Sequence, residues 1–414
     1  IIKYFYNHKK LDMARVFLGK LALHWCLNCN LPLLGDTCGK CGSKAEKVNI
    51  TPPGDIRPAF EFDLELIRKI VNRDFGDKLL IPYNKLVVLN KSPYEDRMDE
   101  IILDGKVIGA IRFETLKLEW TFLPRLSGAR RMNIRKNWVV IDSGAVEPVM
   151  KTANVLSPGV VDADLGIKAG DEMIVYSKEG RAIAAGRARI SGSEMLIKAR
   201  GLAVKTRWSG WEDERILQGG QTWSEAVEAN KHIINSYEGE AITFIKNVVQ
   251  NTKRPVTVSY SGGKDSLATM LLVKKAVDKF DVLFADTGLE FEESRLNVYK
   301  NAEKYGLNLI QISAGDAFWE NVEHFGPPSV EARWCCKVCK LGKISRLIEQ
   351  NYSEGCLTFI GQRKYESEIR ALSERIWKNP WIENQVSASP IQNWTALHIW
   401  LYIFREKAEY NPLY

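Results

Sequence analysis

The sequence predicts a multidomain α/β protein: an alternating β-α-β-α-β domain built on a parallel sheet, preceded by a small β-barrel and a compact four-cysteine ribbon. Three observations carry this reading. Two C-x-x-C pairs stand at Cys26, Cys29, Cys38 and Cys41; six short β segments punctuated by glycine fill Asn137–Trp208; and strand-like and helix-like runs alternate from Val256 to Ile312. With 414 residues, 45% of them apolar, about two to four domains are expected, each able to bury a core. The boundaries read as 1–54, 55–136, 137–208, 209–252 and 253–414. A net charge of +7 is too small at this length to name a partner, so local clusters of cations must do so. No apolar run approaches the roughly 18 residues that cross a bilayer, and Ile1–Lys20 lacks the continuous apolar stretch of a signal peptide. A cytoplasmic protein without membrane contact is the expectation.

The ribbon comes first, in HWCLNCNLPLLGDTCGKCG from His24 to Gly42. Two C-x-x-C knuckles can set four thiolates tetrahedrally around one zinc, and four thiolates leave no open position for water, so the zinc is structural. Clustered pairs of this kind read as metal ligands and not as disulfides. Only eight residues separate the knuckles, which argues for a minimal ribbon. In the next segment Phe62–Val71 has helical spacing, whereas Lys85–Asn90 and Glu100–Phe113 read as strands with a turn at Asp104 and Gly105. Its end is basic: Arg125, Arg130, Arg131, Arg135 and Lys136 fall within twelve residues.

Between Asn137 and Trp208 the β segments read VVID, SGAVEPVM, VLSPGVVDAD, GDEMIVYS, GRAIAAGRARI and EMLIKARGLAV, at the spacing of a small barrel. Arg181, Arg187, Arg189, Lys198, Arg200, Lys205 and Arg207 give it a basic surface suited to an RNA backbone. A connector follows, in which Trp223, Val227, Ile233, Ile234, Ile242, Ile245 and Val248 recur at helical spacing and are core.

The last domain carries the most specific chemistry. Val256–Tyr260, the helix Ser266–Lys279, Val282–Asp286, the helix Glu292–Tyr305 and Leu307–Ile312 require right-handed crossovers, so a ligand belongs at the carboxyl ends of the strands. At the first such end, after Ser259, lies the SGGKDS loop: Ser261, Gly262, Gly263, Lys264, Asp265 and Ser266. Without Cβ atoms on its glycines, the backbone N–H groups can close on a phosphate or sulfate at the positive end of the following helix. The spacing is neither that of a Walker A loop nor that of G-x-G-x-x-G. At the second strand end, Asp286, Thr287 and Gly288 offer a carboxylate and a hydroxyl for a nucleotide's sugar or base, or for a divalent metal.

The SGGKDS loop resembles the PP-loop of the ATP pyrophosphatase superfamily. Further motifs narrow the resemblance to the phosphoadenosine phosphosulfate (PAPS) reductase family: DTGLEFEES at Asp286–Ser294, Gly361-Gln362-Arg363-Lys364 followed by Glu366, Ser367 and Arg370, NWTALHIW, and Tyr410-Asn411-Pro412-Leu413-Tyr414. The barrel is similar to a PUA domain, an RNA-binding pseudobarrel, through Ser143-Gly144-Ala145, Ser157-Pro158-Gly159-Val160, Gly170-Asp171 and Gly186-Arg187-Ala188. These resemblances imply an adenine nucleotide (PAPS, adenylyl sulfate or ATP) in the SGGKDS loop, with Arg363, Lys364 and Arg370 on the cationic side of the pocket. They also imply reduction of an adenylyl sulfate to sulfite with a thioredoxin-like electron donor. The reductases' nucleophilic cysteine lies in a tail beyond the N-P-L-Y element, so no catalytic residue is assigned within this chain.

Cys335, Cys336 and Cys339 resemble the tandem-cysteine segment that, in adenylylsulfate reductases, joins a later C-x-x-C around a [4Fe–4S] cluster. Zinc or unliganded redox thiols are the alternatives. Adjacent cysteines cannot both face one direction in a regular helix or strand, so using both requires a local distortion. Two rival functions stay open. One is an RNA-directed sulfur-transfer or modification enzyme that adenylates a base with ATP while the ribbon and barrel hold the RNA; the other is a non-catalytic RNA-binding protein.

Overall fold

The computed structural model describes residues 21–197, 200–211, 214–329, 331–378 and 380–414. The first twenty residues of the expected ribbon segment, and Lys198 of the basic set, lie outside the described residues. The chain divides into two compact units, Lys20–Ile233 and Ile234–Leu413.

In the first unit the ribbon is a three-stranded antiparallel sheet with Leu23–Cys26 between Leu31–Leu33 and Glu46–Val48. The next element is the helix Glu61–Phe75, closed at Gly76 with φ +75°. Its apolar stripe, Ile67, Ile70, Val71 and Phe75, packs with Ile101, Ile108, Ile111 and Phe122 from a five-stranded antiparallel sheet. The strands Met98–Leu103 and Lys106–Glu114 meet at Asp104 and Gly105, both with positive φ, as a two-residue hairpin turn of this kind requires. Ile174 and Ala182 from the following β segment belong to the same core, so the two sheets are not independently filled.

Asp104 does more than turn the chain. Its carboxylate accepts hydrogen bonds from Lys85 Nζ at 2.8 Å, Arg131 at 2.7 Å and Asn30 Nδ2 at 2.7 Å, while Asn30 accepts from Trp25 of the ribbon. Burial works against ionisation, yet these donors outweigh it and hold the Asp104 carboxyl below its ordinary range. The ribbon is thereby pinned to the hairpin turn.

The segment 138–209 forms a six-stranded sheet in the order Val155–Leu156, Leu202–Ser209, Ala182–Ala188, Glu172–Ser177, Trp138–Ile141, Val160–Ala163. One of the expected β segments is a helix instead, and EMLIKARGLAV begins as a helix and ends in the strand Leu202–Ser209. SGAVEPVM folds as the helix Ser143–Met150, because the Asp142 side chain caps the Ala145 N–H at 2.8 Å and Val146, Val149 and Met150 recur at helical spacing toward the core. Gly192–Ile197 is helical because Ser191 and Glu194 form a reciprocal cap, the S-x-x-E signature that precedes a helix. VLSPGVVDAD divides into two strands around a 3-10 turn at Ser157–Gly159.

The second unit holds a six-stranded sheet ordered Asn308–Ser313, Asp281–Asp286, Val256–Ser259, Cys356–Ile360, Gln385–Ala388, Ile376–Lys378, parallel throughout except for the last pair. The helix Lys264–Ala276 buries every residue from Ser266 to Val273, and the helix Ala396–Arg405 is buried from Ala396 to Ile403. Among the described residues no helix is long and apolar enough to cross a membrane.

Replacing Asp104 by Asn leaves two largely buried cations, Lys85 and Arg131, without their shared counter-charge. Urea unfolding of the full chain should show the first unit destabilised by about 3–5 kcal/mol. Breaking the exposed Lys151–Glu147 pair with Lys151→Ala should cost less than about 1 kcal/mol.

Candidate nucleotide site and metal centre

Strand order reverses between Val256–Ser259 and Cys356–Ile360: successive strands run outward from the first in one direction, and Cys356–Ile360 lies on its other side. This is a topological switch point, where the loops leaving adjacent strands part and open a crevice. The SGGKDS loop leaves one strand there, and Gly361-Gln362-Arg363 leaves the other.

The helix Lys264–Ala276 starts at Gly263, an N-cap residue with no side chain to cap the first turn, and that positive end of the helix opens at the crevice. Gly262 has φ +75°, and a Cβ there would sit 2.9 Å from the Ser294 carbonyl oxygen. Only glycine fits. Within the loop, Ser266 Oγ donates to the Gly263 carbonyl at 2.9 Å, and the Ser261 N–H donates to Ser266 Oγ at 3.3 Å. These two bonds set the loop's curvature.

Asp265 ties the two loops together. Its carboxylate accepts from Lys264 Nζ at 2.7 Å and from Arg363 Nε at 2.8 Å. Arg363 is 3% exposed and also reaches the Trp394 carbonyl at 3.5 Å. A Cβ on Gly361 would lie 2.6 Å from the Asp265 carbonyl carbon, so the second loop approaches the first backbone to backbone. Asp286 accepts from the Gly288 N–H at 2.9 Å and pairs with Arg295 at 3.5 Å, while Thr287 is bound through its N–H and hydroxyl to Glu290. Strand Asp281–Asp286 neighbours Val256–Ser259, so this turn lies beside the SGGKDS loop. Lys364 lies on a 3-10 turn with Nζ 4.9 Å from the Tyr365 ring centre, and Arg370 pairs with Glu366.

Several contributors had no site role assigned from the sequence, although Ser294, Thr395, His398 and Asn411 stand within the motifs quoted above. Asn411 of the N-P-L-Y element donates to Ser294 Oγ at 2.8 Å, and Ser294 is the residue whose carbonyl confines Gly262. Tyr260 donates to Asn297 at 2.7 Å. Thr395 caps the helix Ala396–Arg405 together with His398, whose Nδ1 lies 2.7 Å from the Thr395 hydroxyl. Burial, helped by the Arg363 charge, pushes the His398 imidazole down to about 3, so it stays neutral.

In the ribbon, one ligand atom from each of Cys26, Cys29, Cys38 and Cys41 falls within 4.8 Å of all the others, a set that could hold a metal such as zinc. The Cys29 N–H points at Cys26 Sγ at 3.4 Å, and the Gly42 N–H bonds the Cys38 carbonyl at 2.8 Å. Hydrogen bonds from Ser43 pull the Cys41 thiol down to about 6, whereas burial raises Cys26 to about 11 and lifts Cys29 as well. A dication would relieve this crowding of thiols.

Cys335, Cys336 and Cys339 lie where the helical backbone widens into a π segment, Cys336–Leu341, before the helix Gly342–Asn351. The local distortion expected for tandem cysteines is present. Burial raises the Cys335 and Cys339 thiols, and among the described residues these three do not join a fourth ligand in a compact set. The group present does not by itself fit a four-thiolate cluster.

The phosphoadenosine phosphosulfate reductase domain profile matches residues 255–414, and the PUA domain profile matches residues 137–208. The Methanocaldococcus jannaschii protein MJ0066, itself uncharacterized, is 40% identical over 413 residues, covering 97% of this chain and 86% of its own. The chain belongs to the MJ0066 family. It joins a PUA domain to a domain of the PAPS reductase family. Sulfate adenylyltransferase subunit 2 of Hyphomonas neptunium is 28% identical over 208 residues, 44% of this chain and 61% of that one. PAPS reductase from Candida auris aligns at 16% identity with a TM-score of 0.34, over 47% of this chain and 93% of its own.

If the ribbon cysteines hold zinc, the purified full chain should carry one zinc ion that survives desalting. Cys38→Ser should release it and lower the melting temperature of the first unit. A fully folded chain with no bound metal would remove the assignment.

Proposed function

We propose that the domain at 255–414 is a PP-loop enzyme that binds an adenine nucleotide at the switch point, with the phosphate or sulfate ester in the SGGKDS cradle. The observation that carries this is the uncapped first turn at Gly263, aimed into a crevice whose two loops are locked by Asp265. Ser261, Gly262, Gly263, Lys264 and Ser266 supply backbone and side-chain donors to the anion; Ser259, Asp286, Thr287 and Gly288 border the space for ribose or base. Arg363 acts chiefly by positioning Asp265, because its guanidinium is buried against that carboxylate. Lys364 and Arg370 stand on the following turn as cations for the rest of the nucleotide.

Sulfur chemistry on an adenylyl sulfate is the first reading, supported by the match of residues 255–414 to the PAPS reductase domain profile and by the likeness to a sulfate adenylyltransferase subunit. In it the protein's residues bind and orient the mixed anhydride. A thiolate of a thioredoxin-like donor or of the protein attacks the sulfur, forming an S-sulfonate as the S–O bond breaks and the nucleotide phosphate leaves, and a second thiol then displaces sulfite, the two thiols becoming a disulfide. A [4Fe–4S] cluster at Cys335, Cys336 and Cys339 belongs to this reading and would need further ligands. The PUA domain favours a second reading, in which ATP adenylates a base of an RNA held by the same chain.

Calorimetry with ATP, adenylyl sulfate and PAPS should detect binding that Gly262→Val weakens by at least roughly 10-fold, through left-handed strain and the clash with Ser294. Sulfite release with a thiol donor selects the first reading, and RNA-dependent pyrophosphate release the second. Unchanged binding by the variant removes the loop from the site.

A further inference from the structure

A groove of about 450 Å³ lies in the first unit between the ribbon, the mixed module and the end of the last barrel strand. Its volume falls in the range of ligand pockets. The ribbon contributes Glu46, Lys47 and Asn49; the hairpin contributes Lys106; Arg125 and Arg130 come from the basic run; and Trp208 ends the barrel strand. None of these residues takes part in the nucleotide site or the four-cysteine centre.

Trp208 is 43% exposed, and the Arg125 guanidinium lies 4.3 Å from its ring centre. Arg125 is itself anchored by Glu100. A fixed cation therefore backs the indole, and its exposed part offers a surface on which a planar group can stack. Arg130 is held by the carbonyls of Ala182 at 3.1 Å and Gly210 at 2.8 Å. Of the two carboxylates, Glu214 is tied to Arg131 and Ser127, and Glu46 pairs with Arg215. Among the described residues, Lys47 and Lys106 enter no ion pair and supply the groove's available charge.

A flat, backed aromatic surface beside two available ammonium groups matches a nucleobase joined to phosphates. We propose that this groove holds an unpaired nucleotide of an RNA strand, the base stacked on Trp208 and the flanking phosphates on Lys47 and Lys106. This deepens the RNA reading of the first unit and rests on it. An acidic protein segment would use the two lysines but would have no need of the indole platform.

The test uses the full chain and a short single-stranded RNA carrying one 2-aminopurine, titrated at several salt concentrations. The wild type should bind and quench the probe. Trp208→Ala should abolish the quench and weaken binding roughly 5- to 100-fold, while Trp208→Phe, which keeps a ring, should retain most of both. Lys106→Glu should weaken binding and reduce the salt slope by about one or more. Circular dichroism melting checks that each variant is folded, and Lys151→Ala, at an exposed ion pair that does not line the groove, serves as the comparison. If the wild type binds RNA and the Trp208 and Lys106 variants bind as well as it does, the groove assignment is overturned while the RNA reading stands. Capture of an acidic peptide here, with RNA binding unaffected by the substitutions, also overturns it. If the wild type binds no RNA at low salt, both readings fall.

Discussion

The Asp265 carboxylate, held between Lys264 and Arg363, is the constraint on which the candidate nucleotide site depends. It joins loops from two strands that the chain separates by about a hundred residues but the sheet places side by side. The Arg363 guanidinium, 3% exposed, is tolerable in the interior only when paired, and here the pairing also fixes the mouth of the crevice. Ser294 and Asn411 complete the frame from a second direction, by confining Gly262 and tying the N-P-L-Y element to the segment after Asp286.

The first unit applies the same logic to different ends. Charge there is spent on holding modules together before any is offered to a partner. Arg131 joins Asp104 and Glu214, Arg125 joins Glu100, and Arg207 lies across the buried Glu172, whose carboxyl burial raises despite the neighbouring arginines. Arg187 donates to the Gly170 carbonyl at 2.7 Å. Arg181 and Arg207 are exposed but bonded to the Trp211 carbonyl and to Glu172, so the other exposed cations, Arg135, Lys136, Arg189, Arg200 and Lys205, form a smaller set than the sequence suggests. Counting arginines overstates the surface available to RNA, because a guanidinium with several donors is also the natural clamp for buried carboxylates and carbonyls.

Much of this architecture was legible in the residues. The alternation from Val256 to Ile312 predicts the strands and helices to within a few positions, because each period matches the face that the parallel sheet or its covering helices bury. The four ribbon cysteines do converge. What misled was local chemistry read too coarsely. SGAVEPVM looks like a β segment among glycine-rich neighbours, yet Asp142 caps it and Val146, Val149 and Met150 lie on one helical face. The internal role of Arg131 was not legible at all, since its partners stand 27 and 83 residues away. Nor was that of Arg363: a G-x-R motif announces a cation at a strand end but does not say whether it faces ligand or carboxylate.

The most direct measurement of the central claim is amide hydrogen exchange of the full chain with and without a saturating adenine nucleotide. The account predicts slowed exchange in two segments at once, Ser261–Ser266 and Gly361–Arg363, because a bound phosphate occupies the first-turn N–H groups and stiffens the loop that Asp265 joins to them. Protection confined to other parts of the chain, or binding that leaves both segments unchanged, would contradict it.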